Sequence, residues 1–141
     1  RKITELKELS EEESSRQAFR IYQLELGEGV QTIPFAFLGI EALHKAGYEQ
    51  PPADRYRLVC ETEISYPKEY GETERLQYLK AYYQSLVPQD YRGRPLAPSD
   101  IVELYGKEGR RYFYVGAEGF EPVRFSPFLA KPLPQNESKI M

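Results

Sequence analysis

His44 and Cys60 are each the only residue of their type in the chain, so any nucleophile–base pair of the Cys–His kind must use both. His44 falls on a predicted helix between Leu43 and Lys45, with no orienting carboxylate beside it. It reads as a surface or half-buried helix histidine. Cys60 follows Leu58 and Val59 in a strand pattern, with no neighbour to depress its thiol pKa, and reads as a buried structural cysteine. One Cys and one His leave a standard zinc site short of ligands, so no metal and no cofactor are expected. Glu61 and Glu63 alternate onto one face of the same strand, as hydrolytic or metal-binding acids do. Exposed strand faces carry such pairs routinely. Gly27-Glu28-Gly29 lacks the Lys-Ser and helix start that a phosphate loop requires. The chain carries no enzyme signature and is expected not to be an enzyme.

Binding chemistry is better represented. Tyr91, Arg92, Arg94, Lys107, Arg110, Arg111 and Tyr112 interleave guanidinium and aromatic side chains, which can hold phosphates, stack bases or grip a protein partner. Glu103 and Glu108 lie close enough in sequence to neutralise part of this charge. Glu5, Glu8, Glu11, Glu12 and Glu13 make the N-terminal segment acidic, and it is read as a second candidate contact surface. Gly93, Ser99, Asp100, Gly119 and Phe120 are read as fold determinants. Ser99 and Asp100 are suited to accept hydrogen bonds from backbone N–H groups one to three residues on. Gly119 suits a turn needing positive φ, and Phe120 a core anchor.

These residues need a scaffold, and the pattern supplies one. Ile3, Leu6 and Leu9 at three-residue spacing, then the capping-box-like Ser10-Glu11-Glu12-Glu13, predict an acidic helical arm over residues 1–18. Phe19 to Leu26 alternates as a strand. Gly27 to Gly29 turns the chain, and Val30 to Phe35 returns as an edge strand because Pro34 cannot donate to a ladder. Phe37 to Ala46 predicts a helix closed by Gly47. Tyr56 to Ile64 predicts a strand with Tyr56, Leu58 and Cys60 on one side, and Ser65 to Gly71 a loop. Leu76, Leu79, Tyr83 and Leu86 mark the apolar stripe of a helix from Thr73 to Pro88, flanked by Tyr78 and Tyr82. Ile101 to Tyr105 and Tyr112 to Val115 form a hairpin around Gly106 to Gly109. Phe120, Val123, Phe125 and Phe128 close the core, and residues 130–141 are a frayed tail. The expected fold is α+β, a mostly antiparallel sheet of about five strands on two helices, with the domain proper at 19–129.

Composition narrows the class. A chain of 141 residues suits one domain with a single core, 40% hydrophobic and 29% charged residues suit a soluble protein, and no run is long and apolar enough to span a bilayer. The N-terminus has no apolar signal region, and a lone cysteine suits a reducing cytoplasm. A formal net charge of −3 exerts no global pull on nucleic acid. Tyrosine is abundant at 12 residues while tryptophan is absent, which serves half-buried sheet positions and contact surfaces alike. The start at Arg1 is read as a processed protein, an excised domain or a trimmed chain.

The order of several short pieces resembles the YodL-like domain family. These are Tyr22-Gln23-Leu24, Phe37-Leu38-Gly39-Ile40-Glu41-Ala42-Leu43, Tyr56, Asp90-Tyr91-Arg92-Gly93-Arg94-Pro95-Leu96 with Ser99-Asp100-Ile101-Val102, and Tyr114-Val115 with Gly119-Phe120. The chain departs from the pattern at Arg94-Pro95, where a His-Ser type pair is usual, and at Gly116, where an Asp commonly follows. The resemblance implies a setting on conjugative transposons and phage-like elements of low-GC Gram-positive bacteria, and it implies no reaction. The expected function is a protein-binding module of a mobile genetic element, in its most specific form an anti-defence protein that binds a CRISPR effector nuclease. A DNA- or RNA-binding accessory factor using the Arg/Tyr hairpin is the alternative, and no membrane partner is expected.

Overall fold

Alternating bulk from Phe19 onward produces β1, which spans Ser14–Leu24 in the computed structural model. The structure describes residues 14–27, 33–85, 91–107 and 109–133. Five strands form one antiparallel sheet: β1, β2 (Tyr56–Pro67), β3 (Ile101–Gly106), β4 (Gly109–Val115) and β5 (Phe120–Val123), in the order β2-β1-β3-β4-β5. Among the described residues two helices accompany them, α1 (Ile40–Lys45) and α2 (Glu72–Ser85), so the class is α+β.

The expected N-terminal helix fails where it can be seen. Ser14 to Ala18 are strand, paired in register with Pro67 to Glu63. The Arg16–Glu63 ion pair at 3.2 Å and the Gln17 amide donating to the Tyr105 carbonyl at 3.1 Å add side-chain contacts to β2 and β3 across this pairing. Non-local pairing overrides local preference here. The rest of the arm, with Glu5, Glu8, Glu11, Glu12 and Glu13, lies outside the described residues.

β2 runs past Ile64 to Pro67 because β1 continues opposite it. Ile21 opposes Cys60 and Tyr22 opposes Leu58, leaving Val59 as an extra residue. This bulge reverses the pleat. Cys60 therefore joins the core on the face opposite Tyr56 and Leu58, which corrects the expected side.

Both sheet faces carry a core, where the sequence suggests one. On the first, Leu76, Leu79 and Tyr83 of α2 cover Phe19, Ile21, Val102, Leu104 and Phe113. On the second, Leu43 of α1, Phe35 and Phe125 cover Tyr22, Leu24, Tyr56, Ile101 and Tyr114. The expected strand at Val30–Phe35 is not formed by its described part. Ile33 to Leu38 make consecutive turns, with Ala36 N–H to the Ile33 carbonyl and Leu38 N–H to the Phe35 carbonyl, both at 3.0 Å. Phe37 stands at φ +63°, which delays α1 to Ile40. Gly47 at φ +97° ends α1 and lets the Tyr48 N–H return to the Leu43 carbonyl at 3.2 Å.

After β5 the chain crosses the second face. The Phe125 ring lies 4.9 Å from Tyr22, 5.4 Å from Tyr56 and 5.7 Å from Tyr112, measured between centroids. Phe128 does not join it: the 3-10 turn Pro127–Leu129 leaves this side chain 84% exposed. The start of the expected tail is tied down. Lys131 exchanges backbone hydrogen bonds with Tyr56 and Leu58, each 2.9 Å, at the outer edge of β2.

Candidate functional site

The Tyr91–Asp100 segment builds a buried polar centre at one end of the sheet. Gln23 is its hub, a polar residue of β1 with 2% exposure. Its amide nitrogen donates to the Arg94 carbonyl at 2.8 Å, Asp100 Oδ2 at 3.0 Å and Tyr91 Oη at 3.2 Å, and its Oε1 accepts from the Arg94 N–H at 2.8 Å. Gly93 is required by this approach, since a Cβ there would collide with Gln23 Oε1 and stand 2.9 Å from Val59. The Arg94 guanidinium donates to the Leu24 carbonyl at 3.1 Å and lies over the Phe37 ring, 5.3 Å from its centroid.

Asp100 Oδ2 also accepts from the Ala97 N–H at 2.9 Å, three residues before it rather than after it. Asp100 Oδ1 and Arg94 Nε are buried without a hydrogen-bond partner among the described residues. Burial pushes the Asp100 carboxyl from its ordinary 3.8 up to about 7, against the opposing pull of the Gln23 amide, the Ala97 N–H and the Arg94 charge. Ser99 takes φ +79°; its hydroxyl accepts from the Phe37 N–H at 3.0 Å and its carbonyl from Tyr56 Oη at 2.7 Å. Both partners of Ser99 lie far away in sequence, so the Ser-Asp pair closes a tertiary joint as well as the local turn in which the Asp100 N–H donates to the Ala97 carbonyl at 3.2 Å.

The basic and aromatic candidates do not form one cluster. Tyr91 is buried against Tyr83, 5.3 Å between ring centroids, and Arg94 is held as described, while Arg92 is exposed beside them. Lys107, Arg110 and Arg111 sit at the far end of β3 and β4, about 17 Å away at 3.3 Å per strand residue. Arg110 and Arg111 point to opposite faces. Arg110 pairs with Glu103 at 3.5 Å, Arg111 with Glu72 at 3.1 Å, and Tyr112 is half-buried beside Phe125.

The second face of the sheet is open at this far end, and it carries residues that sequence reasoning missed. Arg16 pairs with Glu63 at 3.2 Å, and Arg20 pairs with Glu61 at 2.7 Å and with Glu103 at 2.9 Å. The Arg20 guanidinium lies 4.3 Å from the Tyr105 ring centroid, and Arg110 approaches the same ring at 6.0 Å. Glu61 and Glu63 do share a face, as their spacing suggests, but each faces an arginine of β1 rather than another acid. The alternation of Arg16, Ala18 and Arg20 was the available signal; their partners depend on register.

Elsewhere, His44 is exposed on α1 and Cys60 is buried in the first core. Gly119 does not use positive φ, which among the described glycines belongs to Gly27, Gly47 and Gly109; it accepts the Gly116 N–H at 2.8 Å, and Phe120 is only half-buried. Tyr114 Oη donates to the Leu38 carbonyl at 2.8 Å and so holds the turn before α1. Tyr114→Phe is expected to lower stability by about 1 kcal/mol, read as a shifted urea midpoint at unchanged slope, because it removes a part-buried hydrogen bond that ties the turn to β4. A loss below about 0.3 kcal/mol would show that the turn does not depend on this bond.

Among the described residues no group of three or more His, Cys, Asp and Glu side chains is placed to hold a metal ion, and no helix is long and apolar enough to cross a membrane. No curated protein matches the chain, and no solved structure does. The YodL-like domain family matches residues 18–125, a span that takes in both helices, the whole of β2 to β5 and β1 from Ala18 onward. With that match covering most of its length, the chain belongs to the YodL-like domain family.

Proposed function

We propose that the protein is a non-enzymatic protein-binding module of a mobile genetic element, acting in the cytoplasm without a cofactor. The observation that carries this reading is the open sheet face, where Arg16, Arg20 and Arg110 each meet a carboxylate across strands and Arg20 rests on the Tyr105 ring. A mosaic of paired charges on an aromatic base suits directional contacts with a folded partner. Polyanion sites instead leave their cations uncompensated. The exposed Phe128 and Leu129 on the chain crossing this face add apolar contact area.

In its most specific form the module is an anti-defence protein that occupies a CRISPR nuclease. Carriage on mobile DNA motivates this form, and so does the acidic run at Glu8, Glu11, Glu12 and Glu13, which offers a nucleic-acid-like charge pattern to a basic cleft.

The test is affinity capture from a host lysate with the full chain beside an Arg16→Ala/Tyr105→Ala variant. Expected is a partner recovered in stoichiometric amount by the wild type and reduced about tenfold by the variant, equivalent to about 1.4 kcal/mol. A monodisperse monomer that recovers no partner would count decisively against the module. The nucleic-acid alternative makes the opposite forecast. Binding of DNA or RNA at low ionic strength that falls steeply with salt, and is lost in Arg110→Ala/Arg111→Ala, would replace the protein-binding reading.

A further inference from the structure

β4 begins at Gly109, but its pairing with β5 covers only Tyr112 to Val115. Among the described residues, the outer edge of β4 is therefore bare over its first residues. The direction of the backbone groups there follows from bonds further along. Val115 donates its N–H to the Asp100 carbonyl at 2.9 Å and accepts from the Ser99 N–H at 3.0 Å, so both of its groups face the β3 side. Backbone groups in a strand alternate sides, and the β3–β4 register is continuous. Arg111 and Phe113 thus also face β3, while Tyr114, Tyr112 and Arg110 face outward. Tyr112 and Tyr114 meet Val123 and Glu121 of β5; Arg110 has no strand opposite it among the described residues.

The same alternation turns Pro122 to the outer side of β5, where it removes a donor and blunts that edge. The stub of β4 has no such guard among the described residues. It borders a cleft of about 560 Å³ lined by Arg110, Arg111, Tyr112, Arg124 and Ser126, among others. Arg110 and Arg111 leave the strand on opposite faces, and the exposed Arg124 makes no ion pair among the described residues. Two carboxylates reach this cluster: Glu103, already bound by Arg20 and Tyr22, lies 3.5 Å from Arg110, and Glu72 pairs with Arg111 at 3.1 Å, which leaves Arg124 as the guanidinium of the cleft with no ion pair among the described residues.

We propose that the bare edge of β4 at Arg110 docks an extended acidic segment of a protein partner. The partner's main chain pairs with the Arg110 N–H and carbonyl, and its carboxylates meet Arg110, Arg111 and Arg124. This rests on the protein-binding reading above and names the partner's chemistry. Strand addition supplies main-chain hydrogen bonds, and the flanking guanidiniums select acidic side chains.

The experiment is fluorescence anisotropy on the full chain with a labelled alternating Glu-Val peptide. Three comparison probes are its Lys-Val counterpart, the Glu-Val peptide N-methylated at alternate residues, and a single-stranded DNA oligonucleotide. Saturable binding of the Glu-Val peptide is expected, with the Lys-Val and N-methylated peptides each weaker by about tenfold. Arg124→Ala should weaken the Glu-Val complex about fivefold with the thermal midpoint unchanged, since that exposed side chain makes no ion pair among the described residues.

Indifference to N-methylation or to Arg124→Ala would overturn the proposal. So would tighter binding of the oligonucleotide than of the peptide. The outcomes separate the two claims. If Arg124→Ala captures the lysate partner as well as the wild type does, the site is wrong and the module stands. If the peptide binds as expected while no partner is captured, the module reading falls and the site's chemistry survives.

Discussion

Glu103→Ala is expected to cost about 3–5 kcal/mol, the loss typical of breaking a buried charge pair from one side. Glu103 has no exposed surface although it sits in β3 between Arg20 of β1 and Tyr112 of β4. Its Oε1 accepts from Tyr22 Oη at 2.8 Å, and its Oε2 accepts from Arg20 at 2.9 Å with Arg110 at 3.5 Å. Truncation would leave the buried Tyr22 hydroxyl without its acceptor and remove one of two carboxylates from Arg20. Glu61 still holds Arg20 at 2.7 Å, which places the effect toward the lower end of that range.

Glu103→Gln keeps an acceptor for Tyr22 but sets a neutral amide against Arg20, so about half the cost should remain. Urea midpoints at constant slope measure both variants. Combining Glu103→Ala with Tyr22→Phe should cost less than the two singles together by about 1–2 kcal/mol, because the second change removes the hydroxyl that the first strands. Additive losses, or an alanine variant within about 1 kcal/mol of wild type, would mean that Glu103 is not the charge anchor of this face.

The mobile-element and binding roles stand as proposals, but the scaffold was largely readable in advance. Leu76, Leu79 and Tyr83 sit at helical spacing, and all three line the first core. Gly106 and Gly109 bracket the β3–β4 hairpin as a two-residue connection should. What stayed illegible is non-local. Nothing in Ser14 to Ala18 states that β2 will continue opposite them, and that pairing makes them strand. Val59 looks like any strand residue until the register slips by one and sends Cys60 to the other face. The bond from Arg20 to Glu103 joins residues 83 apart, and Gln23 finds Asp100 across 77. A polar residue in an apolar strand was the clue at Gln23. Its partners required the fold.

Asp100 should make the protein less stable as pH rises. Its carboxyl is ordinarily 3.8 and burial raises it to about 7 in the fold, so between those values the folded chain keeps a proton that the unfolded chain has released. Stability falls wherever the native state binds more protons than the unfolded state. The contribution is therefore whole below about pH 4, declines through about pH 7 and is flat above. A shift of about three units at roughly 1.4 kcal/mol each corresponds to a decline on the order of 4 kcal/mol.

The environment supports the direction. Tyr56, Tyr91 and Tyr114 surround the group, and their hydroxyls are all pushed up, by burial first and by the Asp100 charge as a further cause. Arg94 opposes the shift, but its guanidinium is directed to Leu24 and Phe37. Oδ1 has no donor to favour the anion. Glu25 carries the opposite sign: its hydrogen bonds to Arg57 at 2.6 and 3.4 Å hold it below the usual carboxylate range, so its contribution is lost only in stronger acid.

Asp100→Asn isolates the effect. The amide carbonyl can replace Oδ2 toward Gln23 and Ala97, and the group no longer titrates. The variant should match wild type near pH 4 within about 1 kcal/mol and exceed it by a few kcal/mol at pH 8. Unfolding curves at half-unit steps give the difference directly. A wild-type-minus-variant curve that is level from pH 4 to 8 would show that Asp100 is ionised in the fold throughout.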